Sequence, residues 1–301
     1  MSQVIELVPN FSEGVNEDII SGLVKLAQST PGASLLDYSA DSNHNRTVLS
    51  LVGGPQAIKE VAFNLIEYAK DHIDLTQHKG AHPRMGATDV CPLIPLKDTS
   101  IEECVDLAQK IAKRVGEELD IPIFLYEAAA TAPHRKNIAK IRKGEFEGMA
   151  DKIKEDKWQP DYGPDQVHPT AGATAIGARM PLVAFNVNLD TDNIDLANRI
   201  AKIVRGSSGG FKYCKAIGVM LEDRQVAQVS MNMVNYKKTP LYRVLETIRF
   251  EAKRYGVGIL GTEIVGLTPA EALIDSANYY LQTENFNSSQ QVIENQLLND
   301  L

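Results

Sequence analysis

His78, Lys79, His82, Arg84 and Asp89 lie in one stretch, His78-Lys79-Gly80-Ala81-His82-Pro83-Arg84-Met85-Gly86-Ala87-Thr88-Asp89-Val90-Cys91-Pro92. Two imidazoles beside two permanent cations can move a proton next to an anionic ligand. Pro83 fixes its own φ and turns His82 out of the α region, while Gly80 and Gly86 permit backbone shapes that other residues resist. The span is too irregular for a buried helix or an alternating strand, so it reads as an active-site loop. The charges of Lys79 and Arg84 favour the neutral imidazole that a general base must be, and a rate rising with pH through the histidine range is expected.

His78 and His82 also stand four apart, the spacing of two metal ligands on one helix face, with Asp89 as a third candidate. Gly80 and Pro83 break such a helix, no glutamate takes the place of a metalloprotease base, and Lys79 and Arg84 repel a cation. No metal is therefore expected. A second stretch, residues 162–179, contains Gly163-Pro164-Asp165-Gln166-Val167-His168-Pro169-Thr170-Ala171-Gly172. Its small residues would let a flat ligand approach the backbone, and Arg179 could meet a carboxylate; on spacing alone an interdomain linker fits equally well. Residues 205–212 are glycine-rich, but they follow a helix pattern and precede a strand, the reverse of the Walker A order, and read as a loop or lid. The basic stretch carrying His134, Arg135, Lys136, Lys140, Arg142 and Lys143 reads first as a solvated face and second as a rim that draws in anions.

The elements that must position these residues follow from the apolar pattern. Residues 4–8 predict a strand opening onto a polar loop at 9–14, and Ile19, Ile20, Leu23 and Ala27 recur at helical spacing. Residues 33–38 and 46–52 predict a hairpin. A helix through Ile58, Val61, Leu65 and Ala69 and a strand over 90–96 complete a β-α-β-β-α-β order. Ser100 and Glu103 have capping-box spacing for a third helix, and a strand is predicted over 121–126. The domain junction is placed in 158–179, as a ligand-bearing hinge. From Pro181 the same plan repeats, and Thr268-Pro269-Ala270-Glu271 predicts a second capping box; the polar tail from Thr283 reads as a peripheral helix or frayed end. The fold class is α+β: two ferredoxin-like α/β sandwich subdomains, residues 1–179 and 180–301.

Composition narrows the function. At 301 residues the chain has room for two domains, and a formal net charge of -8 argues against a nucleic-acid-binding surface while leaving room for a local basic pocket. Cys91, Cys104 and Cys214 form no Cys-x-x-Cys pair, so they outline neither a disulfide framework nor a zinc knuckle. Residues 1–10 have no signal-peptide pattern, and no apolar run approaches the ~20 residues of a membrane span. A cytoplasmic protein without membrane or nucleic-acid partners is expected.

The histidine loop closely resembles that of glutamate formimidoyltransferases, the formiminotransferase family and transferase half of the bifunctional formiminotransferase-cyclodeaminases. The resemblance extends, in family order, to Val8-Pro9-Asn10-Phe11-Ser12-Glu13-Gly14, Leu35-Leu36-Asp37, Asn45-Arg46-Thr47-Val48, the segment 163–172, Gly177-Ala178-Arg179 and Ala184-Phe185-Asn186-Val187-Asn188-Leu189. It implies transfer of a formimidoyl group from N-formimidoyl-L-glutamate to N5 of tetrahydrofolate, the acceptor substrate, in histidine degradation. It also implies a homodimer, a ligand tunnel between the subdomains, His82 as the catalytic residue and residues 163–172 as the folate-binding segment. Some relatives carry an acidic residue two places after Leu-Leu-Asp; here that place is Ser39, with Asp41 as the substitute carboxylate. Both ligands bear carboxylates, which assigns Arg46, Lys79, Arg84 and Arg179 to substrate binding, and Asp41 is placed in the same substrate site. A metal-dependent amidine or amide hydrolase and a non-catalytic folate-binding protein are the alternatives.

Overall fold

The computed structural model describes residues 3–300, and the chain divides after Arg179 into two compact units. The first unit opens with β1 (Ile5–Leu7) and β2 (Asn10–Phe11), two pieces of one strand position interrupted at Pro9, which has no N–H to give to a ladder. The Asn16 side chain caps α1 (Glu17–Ser29), accepting from Asp18 N and Ile19 N, and the helix buries Leu23 and Ala27. Next come the hairpin β3 (Ala33–Asp41) and β4 (Arg46–Gly53), then α2 (Pro55–His72), β5 (Thr88–Pro95) and α3 (Ile101–Glu118). The predicted box at Ser100 and Glu103 closes in both directions. β6 (Ile123–Glu127), two short helices, α4 (Ile138–Arg142) and α5 (Glu145–Lys152), and β7 (Thr174–Ala178) complete the unit.

Its strands make one mixed sheet. β3, β4, the β1–β2 position and β5 are antiparallel neighbours, and β7 then β6 continue the sheet in parallel. The ferredoxin-like plan is thus present but extended by two strands. Two expectations change. Part of the polar loop expected over 9–14 is β2, paired with both β4 and β5. The stretch expected as a hinge ends in β7, all five of whose residues are buried between β5 and β6. Small residues there serve a crowded interior strand rather than a flexible joint.

Alternation along β4 sets the two faces. Thr47, Leu49 and Leu51 are buried, the two leucines in the helix-backed core, so Arg46, Val48 and Ser50 point to the opposite face. On that opposite side a second apolar cluster joins Ile141, Met149, Ile153 and Trp158, from α4, α5 and the turns after them, to Val90, Phe124, Tyr126 and Ala175 of the sheet. Truncating a fully buried residue such as Ile141 costs about 2–5 kcal/mol, so α4 is anchored firmly enough to aim the side chain of its last residue, Arg142.

The second unit runs β8 (Val183–Leu189), α6 (Ile194–Val204), β9 (Cys214–Leu221), β10 (Val226–Met233), α7 (Leu241–Lys253) and β11 (Ile259–Val265). The antiparallel order β11-β8-β10-β9 is the ferredoxin-like arrangement, with Val183, Phe185, Val187 and Leu189 in its core. Three helices follow, α8 (Ala270–Leu281), α9 (Ser288–Gln291) and α10 (Ile293–Asp300). The box predicted at Thr268 does not form: Pro269 takes the cap position, and Thr268 Oγ1 is buried without a hydrogen-bond partner. Glu271 accepts instead from Tyr236 Oη at 3.0 Å and pairs with Lys237 at 2.9 Å. Cys91, Cys104 and Cys214 are buried free thiols, and no helix among the described residues is long and apolar enough to cross a membrane.

Candidate active site

The β3–β4 turn and the histidine loop are stitched together. Ala81 N donates to Asn43 O at 3.1 Å, Asn45 Nδ2 to Lys79 O at 2.9 Å, and His78 Nε2 meets Asn45 O at 3.0 Å. A side chain at residue 80 would place its Cβ 2.4 Å from His44 O, so glycine is what lets the two turns touch. On its other flank the loop meets the segment 163–172: Ala87 N donates to Ala171 O at 2.8 Å and Ala173 N to Met85 O at 2.9 Å. Gly172 has φ +70°, and a Cβ there would lie 2.2 Å from Met85 O. The segment runs from exposed Gly163, Asp165, Gln166 and Pro169, through half-buried Pro164, Val167, His168 and Thr170, to buried Ala171 and Gly172. His168 Nδ1 accepts from Ala171 N at 3.0 Å, and burial lowers that imidazole from its ordinary value, Lys70 adding to the effect. The two stretches singled out by composition are therefore adjacent within the first unit.

Cations flank the half-buried His82. Arg46, facing away from the helix-backed core, donates to Asn10 Oδ1, and Arg142 Nη2 lies 2.6 Å from Asp89 Oδ2. The Nε atoms of both arginines are buried without hydrogen-bond partners, so each guanidinium retains donor capacity. Burial first, then the charges of Arg46, Arg142 and His44, lower the His82 pKa from 6.5 to about 3. The imidazole is neutral at physiological pH, as expected, but for a different reason: burial and two arginines distant in sequence, not Lys79 and Arg84. A folded-state value of about 3 also means that His82 in the free protein does not titrate through the histidine range, which removes the source of the pH-dependent rate expected above.

Other candidates take different places. Arg84 pairs with Glu145 at 3.1 Å and Glu147 at 2.6 Å, and its Nε donates to His78 Nδ1 at 3.1 Å, so it braces the loop against α5. Asp41 Oδ2 lies 2.7 Å from His44 Nδ1, and its Oδ1 accepts from Asn43 N and His44 N; its carboxylate sets His44 rather than His82. Lys79 is exposed and lines a cleft of about 350 Å³ with Glu13, Asn45 and Asp74. Arg179 donates through its backbone to Leu93 O at 3.0 Å, and its charge opposes the burial that raises the Glu6 carboxyl. No group of three or more His, Cys, Asp or Glu side chains able to hold a metal forms among the described residues. Sequence reasoning missed His44, and it reached Arg142 only as one member of a basic stretch read as a solvated face or an anion-drawing rim. The first could have been found by its i,i+3 spacing from Asp41 in the hairpin turn; the second carried no signal beyond its charge.

Comparison with known proteins gives this geometry a family. The family model described as "Formiminotransferase domain, N-terminal subdomain" matches residues 4–179, and "Formiminotransferase domain" matches residues 184–298. The chain belongs to the formiminotransferase family. A "Glutamate formimidoyltransferase" of Streptococcus pyogenes serotype M1 is 62% identical over 99% of this chain and 100% of that protein. A protein of the same name from Thermoplasma acidophilum is 46% identical over 94% of each chain. The "Formimidoyltransferase-cyclodeaminase" of Dictyostelium discoideum is 43% identical over 95% of this chain, which spans 54% of that longer protein. The two formiminotransferase models part between residues 179 and 184, and the compact units part after Arg179.

Proposed function

We propose that the protein transfers the formimidoyl group of N-formimidoyl-L-glutamate to N5 of tetrahydrofolate, giving 5-formimidoyltetrahydrofolate and L-glutamate, in histidine degradation. The observation that carries the reading is 62% identity, over the full length of both chains but for a few residues, to a protein named for that activity. Local chemistry supports it. The N5 lone pair attacks the formimidoyl carbon while neutral His82 takes the N5 proton. The bond from carbon to the glutamate nitrogen then breaks as that nitrogen is protonated. Arg46 and Arg142, each with an Nε still to be satisfied, suit substrate carboxylates or the charge that develops during attack. Residues 163–172, packed on the catalytic loop by the turn at Gly172, hold the folate in this reading, Arg179 and Lys79 act as outer anion contacts, and the enzyme is a cytoplasmic homodimer.

Glutamate release, measured with and without tetrahydrofolate and with and without chelator, tests the reading. Release that depends on folate and ignores chelator is expected. Release without folate would replace transfer by hydrolysis, loss to chelator would install a metal, and no release alongside folate binding would leave a binding protein.

A further inference from the structure

His44 lies outside every motif discussed so far, yet it faces the catalytic imidazole. The two ring centroids are 6.4 Å apart with planes at 69°, one edge toward the other. Asp41 accepts from the backbone N–H groups of Asn43 at 2.8 Å and His44 at 3.0 Å, which fixes the carboxylate, and its second oxygen holds His44 Nδ1 at 2.7 Å. That bond puts the ring proton on Nδ1 and leaves Nε2 as the acceptor. An imidazole backed in this way is held in one tautomer and one orientation. The ring is about half exposed, with 53% of its side-chain surface open, while the Ala81–Asn43 bond and the close approach at Gly80 fix its turn against the loop that carries His82.

Resting on the transferase reading, we propose that His44, set by Asp41, is a second acid–base residue of the transfer, holding the proton between its departure from N5 and its delivery to the glutamate nitrogen. The N5–H bond breaks as an N–H bond forms on His82. That proton then passes to His44 Nε2, across a gap that one water or a substrate nitrogen bridges. The C–N bonding pair leaves with the glutamate nitrogen, which takes the proton back, so both rings end neutral and no outside reagent is consumed. His82 is a poor place to store that proton, because it is half-buried among Arg46 and Arg142. The charged and titratable groups facing His44 are Asp41 on its own hairpin and His82 from the loop packed against it, with Arg46 the next cation along β4.

The test uses His44→Ala and Asp41→Asn in the full chain. Asparagine keeps a side-chain oxygen for the two backbone donors, so that variant preserves the turn. In His44→Ala, kcat should fall by about 10²-fold, KM should change little, and added imidazole should restore rate, which a merely structural role would not allow. In Asp41→Asn kcat should also fall with KM little changed, since the carboxylate that sets the ring's tautomer is gone. An unchanged kcat in His44→Ala, or a loss that imidazole does not rescue together with an unchanged kcat in Asp41→Asn, overturns the proposal. Folate-dependent glutamate release by the unaltered protein is the control; its absence defeats the transferase reading instead.

Discussion

Arg142 Nη2 lies 2.6 Å from Asp89 Oδ2, joining the last residue of α4 to the buried start of β5. Asp89 also accepts from Met85 N at 2.9 Å, so one carboxylate ties the cover helix, the sheet and the histidine loop together. Its side chain is 4% exposed and burial already pushes its carboxyl up, so removing Arg142 leaves a buried charge supported only by Met85 N and the more weakly acting Arg46. Arg142→Met should therefore cost about 3–5 kcal/mol in urea unfolding, and adding Asp89→Asn should recover much of it, because the stranded charge is then gone. Both variants should raise KM for the donor or lower kcat. An Arg142→Met protein of unaltered stability would mean that the pair is not the junction described.

Lys152 supports the same arginine from behind. Its Nζ donates to Lys140 O at 2.7 Å, to Ile141 O and to Lys143 O at 2.9 Å, the carbonyls on either side of Arg142, and it lies 4.3 Å over the Trp158 ring. Lys152→Met leaves those carbonyls without a donor and should cost about 1–3 kcal/mol. Its kinetic effect should follow that of Arg142→Met in direction and be smaller. Equal or greater kinetic damage would mean that Lys152 acts on the site by another route.

The His82 pKa makes stability depend on acid. The group is lowered from 6.5 to about 3 in the folded chain, so on acidification the unfolded chain takes up this proton first. Stability present above pH 6.5 is lost as the pH falls from 6.5 toward about 3. The urea midpoint of the unaltered protein should drop across that window more steeply than that of His82→Gln, which has no proton to take up. Parallel pH profiles for the two proteins would show that the imidazole is not held neutral.

The histidine loop was legible because glycine and proline punctuate it and its charges crowd together, features a single sequence displays directly. The repeated βαββαβ order was legible too, since amphipathic helices such as α1 and α3 announce themselves by period and cap. What stayed hidden depends on contacts between distant residues. Arg142 looked like one more charge in a basic run until Ile141 and Met149 packed α4 onto the sheet beside Asp89. Arg84 looked like a substrate cation until α5 brought Glu145 and Glu147 to it. The small residues of β7 mimic a linker because a crowded interior strand and a flexible joint both favour alanine and glycine.

Gly172 holds the segment 163–172 against the histidine loop at a left-handed turn where no side chain fits, with a Cβ position 2.2 Å from Met85 O. Gly172→Ala should move this segment away from Met85 and Ala87. The expected result is weaker binding of tetrahydrofolate, measured by fluorescence titration, alongside lowered stability. The comparison variant is Gln166→Ala in the exposed part of the same segment, which should leave stability unchanged; a fall in folate affinity there would mark a direct contact. Normal folate affinity in both variants would remove this segment from the binding site.

His82→Ala separates the transferase mechanism from its rivals. The imidazole is half-buried, and its removal leaves the stitching bonds of Ala81, Asn45 and Met85 in place, so the variant should fold and bind folate. If His82 takes the N5 proton, kcat should fall by about 10²-fold or more. His78→Ala should lose less, because that ring contacts Asn45 O and Arg84 Nε and so supports the loop. A site in which both rings bind a metal forecasts the reverse, equal loss from either substitution and complete loss to chelator, since losing either ligand weakens the ion. Near-normal kcat in His82→Ala, together with inactivation by chelator, would move the chemistry to a metal and away from the proton transfer described.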